Sequence, residues 1–312
     1  MFWWEFKGFF CEKVGFFDFE EVENPNMSND EKYIRRGVFL AAPQLLGSWE
    51  KELACMNAGK RGGQYEYPDS FIDFVARVKD YTGLASRVLE GFLLGLSVFV
   101  PSIKQCDHTT ICRRVNEFSK ALKTRGGSTI AVDSSGLTPA RRGGWLTFKH
   151  RKKQSYVKIH LAVDVRDGKI LEFKVTPDSV HDNKVFPELV QKVAKRSRVK
   201  KVLADGAYDD KKNDSSARDK KFKLVVPPRK NSRVRRKPPP ESAARNDRVR
   251  EYKNLGKKRW KKKYKYGMRW AVETVYSVWK RLFGECLSAR TPNGVQAEVN
   301  RKVFLLNSFL SL

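Results

Sequence analysis

The chain has 312 residues, 40% of them hydrophobic and 12% aromatic, so it can build a substantial core and is not a disordered polymer. Its formal net charge of +28 opposes folding by self-repulsion unless a polyanion is bound, which makes nucleic acid the first candidate partner and an anionic membrane surface the second. No stretch reaches the roughly 18 apolar residues of a membrane helix. Five scattered cysteines argue against a disulfide framework. We therefore expect a cytoplasmic protein without a membrane anchor.

The first third of the chain has a helical pattern. Residues 1–30 are aromatic and then acidic, and they predict no element, whereas helical spacing dominates residues 31–124. One helix is expected to begin at Asp69 or Ser70 and to stop at Gly83. A second covers residues 87–99 and ends before Pro101, with four apolar side chains on one face: Val88, Phe92, Leu96 and Phe99.

A third helix follows Asp107, which is placed to cap it. Its inward positions are Ile111, Val115, Phe118 and Leu122, and its outward positions are Arg113, Arg114, Lys120 and Lys123. Short helices joined by a turn, the last of them basic on its outer face, suit a helix-turn-helix that reads DNA. The alternative is an ordinary helical bundle with a solvated basic face.

After the glycines at 126 and 127 the apolar period changes from 3.6 to 2. Three antiparallel strands are predicted over residues 128–133, 156–164 and 170–175, with a turn at Asp167 and Gly168. A helix capped by Asp182 follows, and then strands over residues 199–204 and 222–226. This order predicts an α/β domain.

The segment 227–265 is strongly basic. From Lys211 to Trp270 the chain has 24 Lys and Arg against 5 Asp and Glu, which is +19 of the total +28. We expect this proline-broken segment to order on DNA, with Trp260 and Tyr264 stacking on bases, or else to be a solvated loop. A closing helix over residues 291–312 is expected to be structural.

The stretch from Tyr266 to Lys280 combines a charged stripe with an apolar one. On a continuous helix Tyr266, Arg269, Glu273 and Lys280 fall within roughly 60° of one another. A separate apolar arc would bury the helix; it consists of Met268, Val272, Val275, Trp279, Leu282 and Phe283. From the pattern alone, a solvated face of i, i+4 charge pairs is an equal possibility.

The spacing Y-x2-R-x3-E-x6-K in this stretch resembles the signature of DDE transposases of prokaryotic insertion sequences, families four and five. Residues 87–92 and 107–114 also look like the N-terminal region of this group, which is associated with binding the element's ends. The sequence Asp205-Gly-Ala-Tyr-Asp209 strengthens the resemblance, which covers roughly residues 35 to 310.

The resemblance implies a division of the chain. A helical DNA-end-binding domain would occupy residues 31–124. A ribonuclease-H-like catalytic domain, with a mixed five-stranded sheet and helices, would occupy residues 125–290 and contain 227–265 as a basic insertion. Residues 291–312 would close it, and residues 1–30 stay unassigned.

Three carboxylates are expected to converge in such a fold. Asp133 ends the first predicted strand and Asp205 ends the fourth, and these strands are neighbours in a ribonuclease-H-like sheet. Glu273 would join them from the helix. Three carboxylates without a basic partner repel one another unless a divalent cation neutralises them, and oxygen-only ligands suit Mg²⁺ or Mn²⁺. Two such ions about 4 Å apart would serve an in-line phosphodiester displacement.

The resemblance also implies roles and partners. Asp133, Asp205 and Glu273 would be the catalytic metal ligands. Tyr266, Arg269 and Lys280 would hold the DNA backbone beside the cleaved bond, with further contacts from Arg141, Arg142 and residues 149–153. The partners implied are double-stranded DNA, as terminal inverted repeats and as target, and a second copy of the chain in a homodimer or higher multimer.

Two other functions fit the same residues. One is a nuclease that cuts DNA without strand transfer. The other is a DNA-binding regulator that kept the fold and lost catalysis.

Overall fold

The computed structural model describes residues 28–41, 48–100, 103–139, 156–229, 231–239 and 242–312. Its N-terminal part is helical, as predicted. The helices are α1 (Asn29–Ala41), α2 (Trp49–Asn57), α3 (Asp69–Thr82), α4 (Ser86–Phe99) and α5 (His108–Glu117). Of the unassigned segment 1–30, only residues 28–30 belong to the described part.

Two predicted helix boundaries in this region, at Gly83 and at Asp107, are confirmed. The third helix ends at Glu117, so the predicted positions Phe118, Lys120, Leu122 and Lys123 lie beyond it, and α3 is preceded by Pro68 and not capped by Asp69 or Ser70. Helix α3 ends at Gly83, which takes the left-handed conformation (φ 72°) that a glycine adopts without strain, and its N–H donates to the Lys79 carbonyl at 2.8 Å. Helix α5 begins after Asp107, whose carboxylate accepts from the N–H groups of Thr109 and Thr110, each at 2.9 Å.

The predicted inner face of α4 is wrong. Leu89 and Leu93 are the buried residues of α4, whereas Val88, Phe92 and Phe99 are exposed. Helix α4 is apolar on nearly every side, so its periodicity does not decide which face packs against α3 and α5.

The sheet has the expected ribonuclease-H-like topology. Its strand order is β3-β2-β1-β4-β5, with β1, β2 and β3 antiparallel and with β4 and β5 parallel to β1. A short strand that was not predicted, β6 (Cys286–Leu287), pairs with the end of β1. The main strands are β1 (Thr129–Pro139), β2 (Val157–Asp164), β3 (Ile170–Pro177), β4 (Lys201–Leu203) and β5 (Lys223–Val225).

Asp133 lies within β1 and does not end it, contrary to the prediction. The hairpin partner β2 extends the antiparallel pairing past Asp133, which pairs with Leu161, as far as Leu137. On the other side β4 pairs only with residues 129–131 of β1. The ladder with β4 therefore stops just before Asp133, and the chain after β4 starts at the same level with Ala204 and Asp205.

Helices cover both faces of the sheet. One face packs its apolar side chains, including Ile130 and Val132, against α6 (Asp182–Ala194) and α7 (Lys211–Asp219). The other face packs against α9 (Trp270–Phe283) and α10 (Pro292–Ser311). Because side chains alternate along a strand, Asp133 shares the α9 face with Ala131, whereas Ser134 faces α6 and donates to Asp182 at 3.0 Å.

The basic segment 227–265 contains a long helix, which the sequence reading missed. Helix α8 (Ala243–Tyr264) begins after the prolines and is interrupted at Gly256, where φ is 71° and ψ 160°. Residues 243–264 contain no proline, and Val249, Trp260 and Tyr264 anchor the helix by burial.

The predicted continuous helix from Tyr266 is in two parts. Residues Tyr266–Arg269 form a 3₁₀ turn, and α9 begins at Trp270. Lys265 separates α8 from this turn with a left-handed backbone (φ 49°). The apolar arc packs as predicted at Val272, Val275, Trp279 and Phe283, but Met268 is exposed.

Helix α10 joins the helical region to the sheet. Its Arg301 donates to buried Asp80 of α3 at 2.7 Å, and its Asn307 bonds the backbone of Ile170 in β3 at 2.8 Å. Glu298 and Lys302, one helical turn apart on α10, form a buried ion pair at 2.7 Å. Within the described residues, no helix combines the length and the apolar character needed to cross a bilayer.

Candidate active site at the adjoining ends of the central strands

Asp133 is mostly buried between β1 and α9. Its Oδ1 accepts from the Ser134 N–H at 2.9 Å, and its Oδ2 accepts from the Arg269 guanidinium at 3.0 Å. Burial raises the pKa of Asp133, and the nearby charge of Asp205 raises it further, which outweighs the opposite effects of the Ser134 N–H and Arg269. The carboxylate is therefore held at an electrostatic cost that a cation can relieve.

Asp205 directly follows β4 and opens the 3₁₀ turn Gly206–Tyr208. Its Oδ1 accepts from the Ala207 N–H at 2.8 Å, which orients the side chain as the cap of that turn. The charges of Asp133 and Asp205 act on each other, as the pKa of Asp133 shows. The parallel pairing of β1 with β4 thus brings together two carboxylates that are 72 positions apart.

Glu273 lies in the first turn of α9 and is partly exposed. One guanidinium nitrogen of Arg269 pairs with Glu273, and the other donates to Asp133. Burial alone would lower the pKa of Arg269, but Tyr266, Asp133 and Glu273 together raise it. Arg269 therefore bridges two of the three expected metal ligands.

The carboxylates of Asp133, Asp205 and Glu273 are the candidate ligands for a divalent cation. Three carboxylates offer only oxygen ligands, which suits Mg²⁺ or Mn²⁺. In the described parts of the chain, however, no three acidic, histidine or cysteine side chains stand close enough to surround a metal ion. The three carboxylates fit a divalent cation chemically. If Arg269 withdrew, Asp133 and Glu273 would be free to bind that cation together with Asp205.

Tyr266 is buried beside this site. Its hydroxyl donates to the Ala204 carbonyl at 3.1 Å, and burial, reinforced by Asp205 and Asp133, raises its pKa to about 12. The side chain thus fastens the 3₁₀ turn before α9 to the end of β4, directly before Asp205.

Lys280 and Arg114 have protein partners. Lys280 pairs with Glu285, just beyond the end of α9, at 2.8 Å. Arg114 pairs with Asp69 at 2.8 Å and lies over the Tyr65 ring, so it connects α5 to the start of α3. Arg113, by contrast, points outward and is exposed. Of the two cations in the predicted stripe, Arg269 contacts Asp133 and Glu273, whereas Lys280 pairs with Glu285.

The predicted stacking role of Trp260 and Tyr264 is wrong. Trp260 is almost completely buried and packs against the rings of Tyr264 and Tyr266, at centroid distances of 5.3 and 5.4 Å. Tyr264 is buried too, and its hydroxyl donates to Glu251 at 2.6 Å. Both rings therefore belong to the core that anchors α8.

An exposed aromatic that the sequence reading passed over stands next to the site. Trp270 follows Arg269 at the start of α9, and 69% of its surface is accessible. Trp270 lies outside the apolar arc of α9, and that position could have identified it from the sequence as an exposed aromatic.

A buried ion cluster behind Asp205 was also missed. The carboxylate of Asp209 accepts from Arg245 at 2.6 Å and from Arg248 at 2.6 Å, and Arg248 reaches Asp214 at 2.6 Å. Arg245 and Arg248 lie on α8. The cluster therefore clamps the segment that carries Asp205 to the basic helix.

Arg141, Arg142 and residues 149–153, expected to contact the DNA backbone, lie outside the described residues.

The sheet has a ribonuclease-H-like strand order, and the carboxylates of Asp133, within β1, and Asp205, directly after β4, lie close enough to act on each other. Such a site suits an enzyme of nucleic-acid phosphodiester chemistry. The family described as "Transposase DDE domain" matches residues 124–308, and a second model with the same description matches residues 34–142. The first match alone covers more than half of the chain. The protein belongs to the family of DDE transposase domains.

The solved structures that the chain matches share little sequence with it. The catalytic core domain of BIV integrase is 11% identical, covering 50% of this chain and 85% of that one, with a TM-score of 0.24. The piggyBac transposase synaptic complex with hairpin DNA is 10% identical, covering 89% and 75%, with a TM-score of 0.36. A simian T-cell lymphotropic virus intasome is 10% identical, covering 70% and 68%, with a TM-score of 0.26.

Proposed function

We propose that this DDE transposase cleaves DNA at the ends of an insertion sequence of family four or five and joins those ends to target DNA. The observation that carries the proposal is the arrangement of Asp133, Asp205, Glu273 and Arg269 where the end of β4 adjoins β1. Arg269 and Glu273 belong to the signature spacing, and Asp133 and Asp205 are the two upstream aspartates that the resemblance leads us to expect. The protein would act in the cytoplasm, on the nucleoid.

Asp133, Asp205 and Glu273 would hold Mg²⁺ or Mn²⁺, as a pair of ions. When bound, the ions supply activation of the attacking hydroxyl and stabilisation of the leaving oxygen. Arg269 would exchange its two carboxylates for a phosphate of the DNA, which its planar guanidinium can contact with two nitrogens. Tyr266 would act indirectly, because its hydrogen bond to Ala204 holds the turn that carries Arg269 against the end of β4.

The DNA path is supported by exposed groups around the site. Trp270 would offer an aromatic surface for an unstacked base next to Arg269. The second half of α8 presents a row of exposed cations to the backbone: Lys257, Lys258, Arg259, Lys261, Lys262 and Lys263. Lys280 would reach DNA only by leaving Glu285, and Arg114 only by leaving Asp69.

The division of labour proposed for the chain follows the expected boundaries. Residues 31–124 would bind the terminal inverted repeats through a helix-turn-helix that includes exposed Arg113. Residues 125–290 would cut and join, with 227–265 as a basic insertion, and residues 291–312 would close the fold. Two copies would hold a pair of ends together.

The first experiment is cleavage of a plasmid that carries the gene with its flanking DNA. The wild-type protein with Mg²⁺ or Mn²⁺ is expected to cut at flanking inverted repeats, and Glu273→Gln is expected not to. Glu285→Gln is the matched control, because it removes the same charge beyond the other end of α9. Tight DNA binding with no metal-dependent cut by the wild type would favour the DNA-binding regulator.

Strand transfer is tested separately, with a pre-cleaved end that carries a 3′-hydroxyl. Joined products identify a transposase. Cuts without joined products, under conditions in which paired ends are bound, would identify the nuclease instead.

A further inference from the structure

Helix α4 has two apolar faces, and the described residues of the chain cover one of them. Leu89 and Leu93 are fully buried against α3 and α5. The opposite side exposes large apolar side chains over 44–75% of their surface; these are Val88, Phe92, Leu94, Val98 and Phe99. A surface helix ordinarily turns polar residues outward, and a contiguous exposed apolar patch marks an interaction site.

The exposed residues have the spacing of a helix–helix contact. Val88, Phe92, Gly95 and Phe99 follow one another at intervals of four, three and four residues, which places them within about 60° on one side of α4. This is the seam by which one helix packs along another. The partner that fits it is a helix with an apolar stripe of its own.

Two glycines keep the seam open. A Cβ atom added at Gly91 or Gly95 would meet no atom of the described chain within 4 Å, so nothing in the fold of the chain requires a glycine at either position. The bare backbone lets a second helix approach closely. Glycine in a helix costs about 1 kcal/mol relative to alanine, so two of them on one exposed face weaken the isolated helix without benefit to it.

Charge identifies the partner. The chain has a net charge of +28, so two copies repel each other over most of their surface. From Val88 to Ile103 the sequence contains a single charged residue, Glu90. Glu90 accepts from the backbone N–H of His108 at 3.1 Å and contacts its ring nitrogen at 2.8 Å, so it is tied to α5. Exposed Arg87 directly precedes this stretch, at the N-terminal end of α4. The residues of the α4 seam themselves are uncharged, so a second copy can dock along them without bringing cations onto the contact.

We propose that two copies of the chain dimerise through this seam, with α4 of one copy packed against α4 of the other. Such a contact uses the same patch on both copies, as a two-fold axis requires. It holds without DNA, and it leaves Arg113 and the basic half of α8 free for DNA. The dimer itself does not depend on the proposed cleavage activity.

The test is the mass of the full-length protein by sedimentation equilibrium, without DNA and at high salt, over a range of concentrations. The wild type is expected to be a dimer. Phe92→Glu with Phe99→Glu is expected to be a monomer with an unchanged circular dichroism spectrum, because both side chains are exposed. Glu273→Gln is expected to stay dimeric, so that failure of the interface and failure of the proposed catalysis are told apart.

A second variant separates a fitted contact from general stickiness. Gly95→Trp makes the seam more apolar but blocks close approach, and we expect it to weaken the dimer by at least about tenfold. Gly37→Trp is the matched control on α1, where a Cβ also meets nothing within 4 Å, and it is expected to leave the dimer unchanged. A monomeric wild type, or a dimer that survives the Phe92→Glu and Phe99→Glu changes, would overturn the proposal.

Discussion

At the scale of single residues, Arg269 determines the state of the acidic site. Its guanidinium pairs with Asp133 and with Glu273, so that two carboxylates that would otherwise repel each other share one cation. A divalent cation at the same carboxylates has to displace it. A DNA phosphate that attracts Arg269 would therefore help the metal to bind, and the two ligands would bind cooperatively.

The Arg269→Ala variant tests this competition. Without DNA, its affinity for Mn²⁺, followed by the electron paramagnetic resonance of free Mn²⁺, should rise by about tenfold, because one positive charge has left the site. Its affinity for DNA ends should fall. Arg281→Ala removes the same charge from the far end of α9 and should change neither greatly. An unaltered Mn²⁺ affinity in Arg269→Ala would show that the bridge does not oppose the metal.

His160 is a residue whose environment predicts acid sensitivity. Burial lowers its pKa from 6.5 to about 4; Asp182 opposes this shift, and Lys158 and Lys174 add to it. Its Nε2 lies 2.9 Å from the Thr176 hydroxyl, and its Nδ1 has no hydrogen-bond partner in the described structure.

The pH dependence follows from that shift. The folded protein binds the proton more weakly than the unfolded chain does, so His160 stabilises the fold fully above pH 6.5 and loses that contribution as the pH falls toward 4. The difference amounts to about 3 kcal/mol at most. Denaturant titrations across this range should show a shallower loss for His160→Gln than for the wild type. Equal slopes would mean that His160 does not carry the effect.

At the scale of elements, α8 is both a basic surface and a structural support. Its buried side holds Trp260 in the core and places Arg245 and Arg248 on Asp209, four residues after Asp205. Its outer side carries the exposed lysines. DNA bound to the outer side of α8 would therefore contact a helix that is anchored to the segment carrying Asp205.

The cluster at Asp209 should contribute strongly to stability. Asp209→Asn removes the buried carboxylate that pairs with both arginines, so that Arg248 keeps Asp214 alone, and we expect a loss of about 3 kcal/mol in the free energy of unfolding. The comparison is Asp247→Asn, which removes an exposed carboxylate 3.6 Å from Arg250 on the same helix and should cost less than about 1 kcal/mol. Chemical denaturation of the two variants measures both. A mild effect of Asp209→Asn would show that the clamp is dispensable.

Two tryptophans ten residues apart should behave in opposite ways. Trp260→Ala removes a buried ring and should destabilise the protein by about 3 to 5 kcal/mol. Trp270→Ala removes an exposed ring beside Arg269 and should leave stability nearly unchanged while weakening binding of DNA ends. Thermal unfolding and DNA titration of both variants distinguish the roles. If Trp270→Ala bound DNA like the wild type, the exposed ring would have no part in the interface.

At the scale of the whole molecule, charge and connection are arranged together. The ion pair of Arg301 with Asp80 is buried between α10 and α3 and joins the helical region to the rest of the fold. Burial raises the pKa of Asp80 even though Arg301 opposes it. The positive charge concentrated in the second half of the chain is thus carried by a unit that also includes the expected end-binding helices.

The charge on α8 predicts a salt dependence of DNA binding. Changing Lys257, Lys258, Lys261 and Lys262 to glutamine should reduce the slope of log K against log salt by about 3 to 4, since each phosphate contact adds about 0.9. Arginine at the same four positions keeps the charge and should keep the slope. A slope that glutamine leaves unchanged would place the DNA elsewhere.

The sequence by itself determined the features that depend on local pattern. The helix boundaries at Gly83 and Asp107 follow from short-range geometry, and the change of apolar period predicts where the strands begin. The order of the strands in the sheet and the acidic positions Asp133, Asp205 and Glu273 were expected from the resemblance to a known family. Their roles as metal ligands stay a prediction.

Only the tertiary structure decided which surfaces are inside. Periodicity shows that α4 is apolar but not which of its two faces meets α3 and α5. The sequence shows that residue 260 is aromatic, whereas the burial of the Trp260 ring depends on packing against Tyr266, beyond the end of α8. The pairing of Arg269 with Asp133 joins residues 136 positions apart. All of these contacts depend on how completed elements pack against one another, and no local pattern in the chain encodes them.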